Sequence, residues 1–195
     1  KNAHRRGNAK HHQLTNTSFV DAVGQGHPRA DTNARIVSLV PSITELLFDL
    51  GLGPQVVGRT TFCIHPAPAV ERVTRIGGTK TVNFDRLGAL NATHIIVNID
   101  ENLRDDVPRL EALGVQVVVT HPMHPGDNVD LFRLLGGVFG ASERAEALVG
   151  EFEDALALLK SRQESREPRE VLYLIWRDPW MCVSRDTYIS RVLEL

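Results

Sequence analysis

The sequence predicts an α/β protein: a parallel-sheet, Rossmann-like N-terminal lobe, then a long helix, then the start of a second α/β unit. Three observations carry that expectation. Short β-branched runs alternate with amphipathic stretches of helical period between Arg35 and Ala141, the pattern of a parallel sheet covered on both faces. An apolar stripe with helical spacing then runs without a proline from Ser142 to about Ser161. A fresh apolar run opens at Val171.

Ile36-Val37-Ser38-Leu39-Val40 reads as the first buried strand, ending at Pro41. Ser42 stands three residues before Glu45 in capping-box spacing, and Ile43, Leu46, Leu47 and Leu50 follow on one helical face. Gly51 and Gly53 close that helix. Val56-Val57-Gly58 reads as a second strand leading into the loop Arg59–Pro66. Asn83–Ala92 reads as helix, His94–Asn98 as strand, Leu103–Leu113 as helix and Val115–Thr120 as strand. Asp127 or Asn128 caps a further helix running through Phe139 and ending at Gly140. In the long segment Ala145, Leu148, Val149, Phe152, Leu156 and Leu159 share one face, giving a helix about 30 Å long. Arg162–Arg169 is a charged link, Val171–Ile175 a new strand, and another helix begins near Asp186. The expected organisation is therefore a disordered leader over 1–18, an α/β lobe over 19–141, a backbone helix over 142–163, and over 164–195 the incomplete opening of a second lobe. On this reading the chain is a fragment of a longer protein.

Composition bounds the function classes. With 42% hydrophobic and 24% charged residues, 195 residues suffice for a substantial core. A net charge of -2 with mixed signs supplies no basic field for nucleic acid. Cys63 and Cys182 lie far apart and define neither a disulfide framework nor a zinc site. No apolar run is long enough to cross a bilayer. Residues 1–18 are polar and basic without an apolar signal-peptide region, yet the first residue is Lys1 and not Met, so the expectation is that a leader has been removed or left out. The early histidines His4, His11, His12 and His27 are assigned no function.

Open parallel sheets bind ligands beyond the carboxyl ends of their strands. That rule groups Pro41-Ser42, Arg59–Pro66, Asn98–Asn102 and His121–Pro125 into one rim. The segment Arg35–Gly53 (RIVSLVPSITELLFDLGLG) resembles the opening of the helical-backbone metal receptors, the class III periplasmic solute-binding proteins. Phe19–Gly24 is similar to the D-x-x-G stretch that precedes this strand in siderophore binders. Gly77-Gly78-Thr79-Lys80 with Asn83–Leu87 matches the family's second loop and helix. Asn91–Val97 is similar to its next strand, without that strand's usual Pro and Asp.

The resemblance spans roughly residues 19–195. It implies two lobes joined by one rigid helix, with a corrinoid or related metal chelate held between them and delivered to an ABC permease outside the cytoplasm. Within the family, Phe62–Pro66 and Trp176–Trp180 look most like cobalamin binders, while haem and ferric siderophores are the alternative cargoes. Such a cargo is a broad apolar plate with polar edges, needing aromatic platforms and a few placed donors. The candidate ligand-binding residues are Pro41, Ser42, Arg59, Phe62, His65, Thr79, Lys80, Asn98, Trp176, Arg177 and Trp180. Thr79 and Asn98 match positions that carry tryptophan in the cobalamin binder, so stacking falls to Trp176 and Trp180. For these two, packing against the connecting helix is the plain structural alternative. His65 is the candidate axial metal ligand or edge donor. Permease docking is expected near Glu101, Asp105 and Asp106, beside Arg104, which occupies the position of the family's acidic contact. A monomer is expected, with no catalytic cofactor. A cytoplasmic corrinoid sensor on the same fold is the alternative of another class. An enzyme built on Cys63 and His65 is not favoured, because no oxyanion-hole or third-residue signature accompanies them.

Overall fold

The structure, a computed structural model, describes residues 18–163, 167 and 169–195. The expected leader lies outside the described residues except for Ser18, and so do 164–166 and 168 of the expected link. Two short strands, β1 (Phe19–Val20) and β2 (Gly26–His27), form an antiparallel hairpin. The main alternation follows as β3 (Ile36–Ser38), α1 (Pro41–Asp49), β4 (Val56–Arg59), β5 (Thr74–Arg75), α2 (Phe84–Ala89), β6 (His94–Asn98), α3 (Val107–Glu111), β7 (Gln116–Thr120) and α4 (Asn128–Val138). The long helix α5 covers Ser142–Gln163, and β8 (Leu174–Arg177), β9 (Trp180–Cys182) and α6 (Tyr188–Leu193) complete the chain.

The five strands β3 to β7 form one parallel sheet in the order β5-β4-β3-β6-β7. The chain steps outward from β3 through β4 to β5, then returns to the other side of β3 to lay down β6 and β7. The order therefore reverses between β3 and β6, and a crevice opens beyond their carboxyl ends.

The period-two pattern of the strands feeds two cores. Ile36, Val56, Ile96 and Val118 point to the face covered by α1, α4 and the start of α5. Val37, Ile95, Val97, Val117 and Val119 point to the face covered by α2 and α3, where Leu87 and Leu110 pack. Each fully buried aliphatic side chain contributes about 1.5–3 kcal/mol, so the strands that were legible as apolar runs are also the main source of stability.

Helix α5 begins as a core element and leaves the core along its length. Gly136 in α4 allows the close approach, since a Cβ there would lie 2.5 Å from that of Ala145. Phe132 and Phe152 meet edge to face at 6.2 Å, and Arg133 forms a two-pronged ion pair with Glu146 at 2.8 and 2.9 Å. Only Ala145 and Val149 of α5 are buried, and Leu158 and Leu159 are exposed.

The hairpin is held by one carboxylate. Asp21 accepts from the backbone N–H groups of Val23, Gln25 and Val119 and pairs with His27 Nε2, all at 2.9–3.0 Å. Ala22 N–H donates to Val119 O at 3.0 Å, so the turn after β1 occupies the open side of β7. This gives the D-x-x-G stretch a physical meaning: the Asp carboxylate organises the turn, and Gly24, at φ 83°, supplies its left-handed residue.

Four local expectations are corrected. Ser42 caps nothing: α1 starts one residue earlier at Pro41, with Val40 at the cap and no side-chain cap bond. Proline at the first helical turn, whose N–H has no partner in any case, moves the start forward. The helix expected over Leu103–Leu113 is split into a 3₁₀ turn, Arg104–Asp106, and α3, with Pro108 in the first turn of α3. The helix expected over Asn83–Ala92 is shortened to α2, whose start is capped by the Asn83 side chain. The strand expected at Val171–Ile175 is displaced to β8, is exposed throughout, and pairs antiparallel with β9.

Candidate functional site

The crevice at the reversal of strand order is a cleft of about 630 Å³. Ser42, Ile43 and Leu46 of α1 line one side, and Asn98 at the end of β6 with Asp100 and Glu101 after it line the floor. Pro122 and Met123 after β7, with Asn128, Leu131 and Phe132 of α4, form the next side. Asp186, Thr187, Tyr188 and Ile189 close it from the second unit. The cleft therefore lies between the parallel lobe and the opening of the second unit, with α6 as its outer wall. Asn128 Nδ2 donates to Tyr188 Oη at 2.7 Å and fixes that wall to the lobe.

Asn102 joins the rim loops. Its Nδ2 donates to Leu39 O at 3.2 Å and to Thr79 O at 2.9 Å, while its Oδ1 accepts from Asn98 N–H at 2.8 Å. One side chain thus links the end of β6, the end of β3 and the loop between β5 and α2. That last loop is tied in turn to the loop after β4, because Thr61 N–H donates to Gly77 O at 2.8 Å. Gly77 sits at φ 108° with its Cα hydrogen facing Thr81 O, a place no Cβ fits. Phe62 stands exposed beside Gly78.

The sequence candidates separate into three groups. Ser42 and Asn98 line the cleft directly. Pro41 is the first residue of α1, while Thr79, Lys80, Phe62 and His65 lie on the adjoining loops, with Thr79 bound through its carbonyl to Asn102 and with Phe62, His65 and Lys80 exposed. Trp176, Arg177 and Trp180 sit on the β8–β9 hairpin, all exposed, and are not part of the cleft lining. Trp176 Nε1 donates instead to Asp178 O at 3.1 Å.

Arg59 is corrected outright. It is 1% exposed, donates to Val70 O at 2.8 Å and, through Nη1, to Cys63 O at 2.8 Å and Thr60 O at 3.2 Å. A guanidinium so engaged holds the loop Thr60–Val70 from beneath, through Nε and Nη1, and is not among the residues lining the cleft. Burial, then the nearby Arg75 charge, pulls its pKa below the ordinary value. Cys63 is buried with Sγ 3.1 Å from Thr60 Oγ1, and His65 is exposed.

The cleft is electrostatically one-sided. Its lining carries Asp100, Glu101 and Asp186 and neither Lys nor Arg. Asp100 reaches His121 Nε2 at 3.4 Å, and Asp186 reaches Arg191 at 3.5 Å. Glu101 has neither a hydrogen bond nor an ion pair among the described residues. Burial first, and the Asp100 charge second, raise its pKa. Glu101 thus lies in the cleft, while Asp105 is exposed and Asp106 pairs with Arg109 at 3.5 Å on the outer side near α3.

Sequence reasoning missed Asn102, Asn128 and Tyr188 as site residues. Asn102 fell within the rim stretch, but its three partners come from loops far apart in sequence. No metal-holding group of three or more His, Cys, Asp or Glu side chains occurs among the described residues.

Comparison with known proteins gives consistent matches. A family model described as periplasmic binding protein matches residues 36–195. A vitamin B12-binding protein of Yersinia pestis is 24% identical over 166 residues, 85% of this chain and 59% of its own length. The chain thus spans about three fifths of the curated relatives it matches. The periplasmic vitamin B12 binding protein BtuF of Vibrio cholerae superposes with a TM-score of 0.74 at 23% identity, over 81% of this chain and 62% of that one. The periplasmic heme-binding protein RhuT from Roseiflexus sp. RS-1, in apo form, gives 0.75 at 25% identity, over 83% and 63%. Staphylococcus aureus IsdE, complexed with heme, gives 0.70 at 19% identity, over 83% and 62%.

Proposed function

The chain belongs to the periplasmic binding protein family, and from that premise we propose that it captures a corrinoid or related metal chelate for an ABC importer outside the cytoplasm. Residues 19–141 form its first lobe, 142–163 the connecting helix and 164–195 the opening of the second lobe. The observation that carries this reading is the cleft at the reversal of strand order, lined by both units and supported by loops that Asn102 ties together. A largely preformed cleft of about 630 Å³, with aliphatic walls and a few polar groups, suits a broad apolar plate with hydrogen-bonding edges. Members of this family bind and carry rather than transform, and the buried, hydrogen-bonded Cys63 fits that role.

Phe62 and the hairpin tryptophans stand outside the cleft lining, and this proposal assigns them as stacking surfaces for the part of the plate that projects beyond it, with His65 and Lys80 as edge contacts. A haem cargo is the second reading, supported by the equal likeness to RhuT. Absorbance titration of the full-length protein with cobalamin, haemin and a ferric siderophore tests both. Saturable binding of one of them at micromolar or lower concentration is expected. No spectral change and no tryptophan quenching with any of the three would refute the proposal.

A further inference from the structure

The lining of the cleft carries a discrimination that the fold alone does not. Its charged side chains are all carboxylates, and two of them have a side-chain partner: Asp100 lies 3.4 Å from His121 Nε2 and Asp186 lies 3.5 Å from the Arg191 guanidinium. Glu101 is partly buried, faces the same space, and has no donor or cation among the described residues. Around it stand neutral hydrogen-bonding groups, namely Ser42, Asn98, Asn128 and Tyr188. A desolvated carboxylate without a partner destabilises the empty cleft and is relieved by a ligand that brings an N–H donor or a positive charge. A ligand bringing a further carboxylate to the same floor meets like-charge repulsion from half-buried Glu101 and its neighbour Asp100.

We propose that Glu101 selects the cargo by the chemistry of its edge, favouring a chelate bordered by amides or a cationic group over one bordered by carboxylates. This rests on the chelate-binding reading given above and sharpens it. It also reassigns Glu101 from the outer docking surface, where its sequence position suggested it, to the cargo cleft. The neighbouring asparagines complement the same edge: Asn98 keeps its side-chain N–H groups for a ligand carbonyl, and Asn128, whose Nδ2 already donates to Pro125 O and Tyr188 Oη, keeps its carbonyl oxygen for a ligand N–H.

The test uses one plate with two edges: haemin, whose two propionates are free acids, and haemin with both propionates converted to primary amides. Dicyanocobinamide serves as the amide-edged corrin. The full-length protein and its Glu101→Gln and Glu101→Lys variants are titrated with each, with thermal unfolding as a check that the variants fold alike. The expected result is that the parent binds the diamide about tenfold or more tightly than the diacid. Glu101→Gln narrows that ratio, and Glu101→Lys reverses it, while dicyanocobinamide binding falls in both variants. Equal affinity of the parent for both haemin forms, or a ratio unchanged in Glu101→Gln, overturns the proposal while leaving chelate binding intact. Binding of none of the three plates overturns the chelate reading and this inference together.

Discussion

Acidification tests the fold at one buried imidazole. His94 opens β6, is 8% exposed, bonds Thr93 Oγ1 through Nδ1 at 2.8 Å, and packs edge to face on Phe139 at 5.1 Å. Burial, and secondarily the facing His27, push its pKa down from 6.5 to about 4. The folded state therefore refuses a proton that the unfolded chain accepts. The associated stability is fully present above about pH 6.5 and is lost progressively as pH falls toward about 4, below which both states are protonated. At about 1.4 kcal/mol per pKa unit, the complete loss is about 3 kcal/mol, and about 2 kcal/mol of it falls between about pH 7.5 and about pH 5.

The assay is urea unfolding at those two pH values for the parent and for His94→Asn, which keeps a polar atom near Nδ1 but does not titrate. Other groups of the protein also titrate between these two pH values, so the informative quantity is the difference between the two proteins. The variant starts less stable, because the ring contact with Phe139 is gone, and loses about 2 kcal/mol less on acidification. Equal acid-induced losses in the two proteins would refute the assignment, as would a parent that gains stability as the pH drops.

Asn102→Ala removes the link between three rim loops; chelate affinity is expected to fall about tenfold with a stability loss of about 1–2 kcal/mol, read by titration and urea unfolding. Arg59→Met leaves the carbonyls of Thr60, Cys63 and Val70 without their donor, so unfolding stability should drop by about 3 kcal/mol while affinity in the protein that remains folded is kept. Trp176 and Trp180 are 64% and 67% exposed and are the chain's two tryptophans, so the 195-residue chain should emit at the solvent-exposed wavelength and be fully quenched by acrylamide. A blue-shifted, protected emission would contradict the exposed hairpin.

The parallel lobe was legible because its signals are local and redundant. The run His94–Asn98 is apolar and β-branched, and it appears as β6 with the expected boundaries. The long helix was equally plain, since its stripe needs no knowledge of a partner. Caps and ends were less legible: Ser42 and Glu45 have capping-box spacing, yet Pro41 at the first turn moves the start ahead of them. The candidate site was legible only as a rim. Ser42 and Asn98, which the strand-end rule named, line the cleft, but an arginine beside a loop looks the same in sequence whether it faces a ligand or, like Arg59, the underside of the loop. Asn102 and Tyr188 were hidden for the opposite reason, because their importance lies in partners 63 and 60 residues away.

The turn held by Asp21 has a consequence for how the protein behaves in a crowded compartment. A parallel sheet ends in two rows of unpaired backbone groups, and each invites a strand from another molecule. At one end the sheet stops at β5, only two residues long and carrying Arg75, too short and too charged to template a neighbour. At the other end β7 is five residues long and apolar, and the hairpin turn occupies its Val119 position. Asp21 therefore serves as a guard against self-association as well as a brace, and a chain that began at Ala34 would carry the whole lobe core with one sticky border.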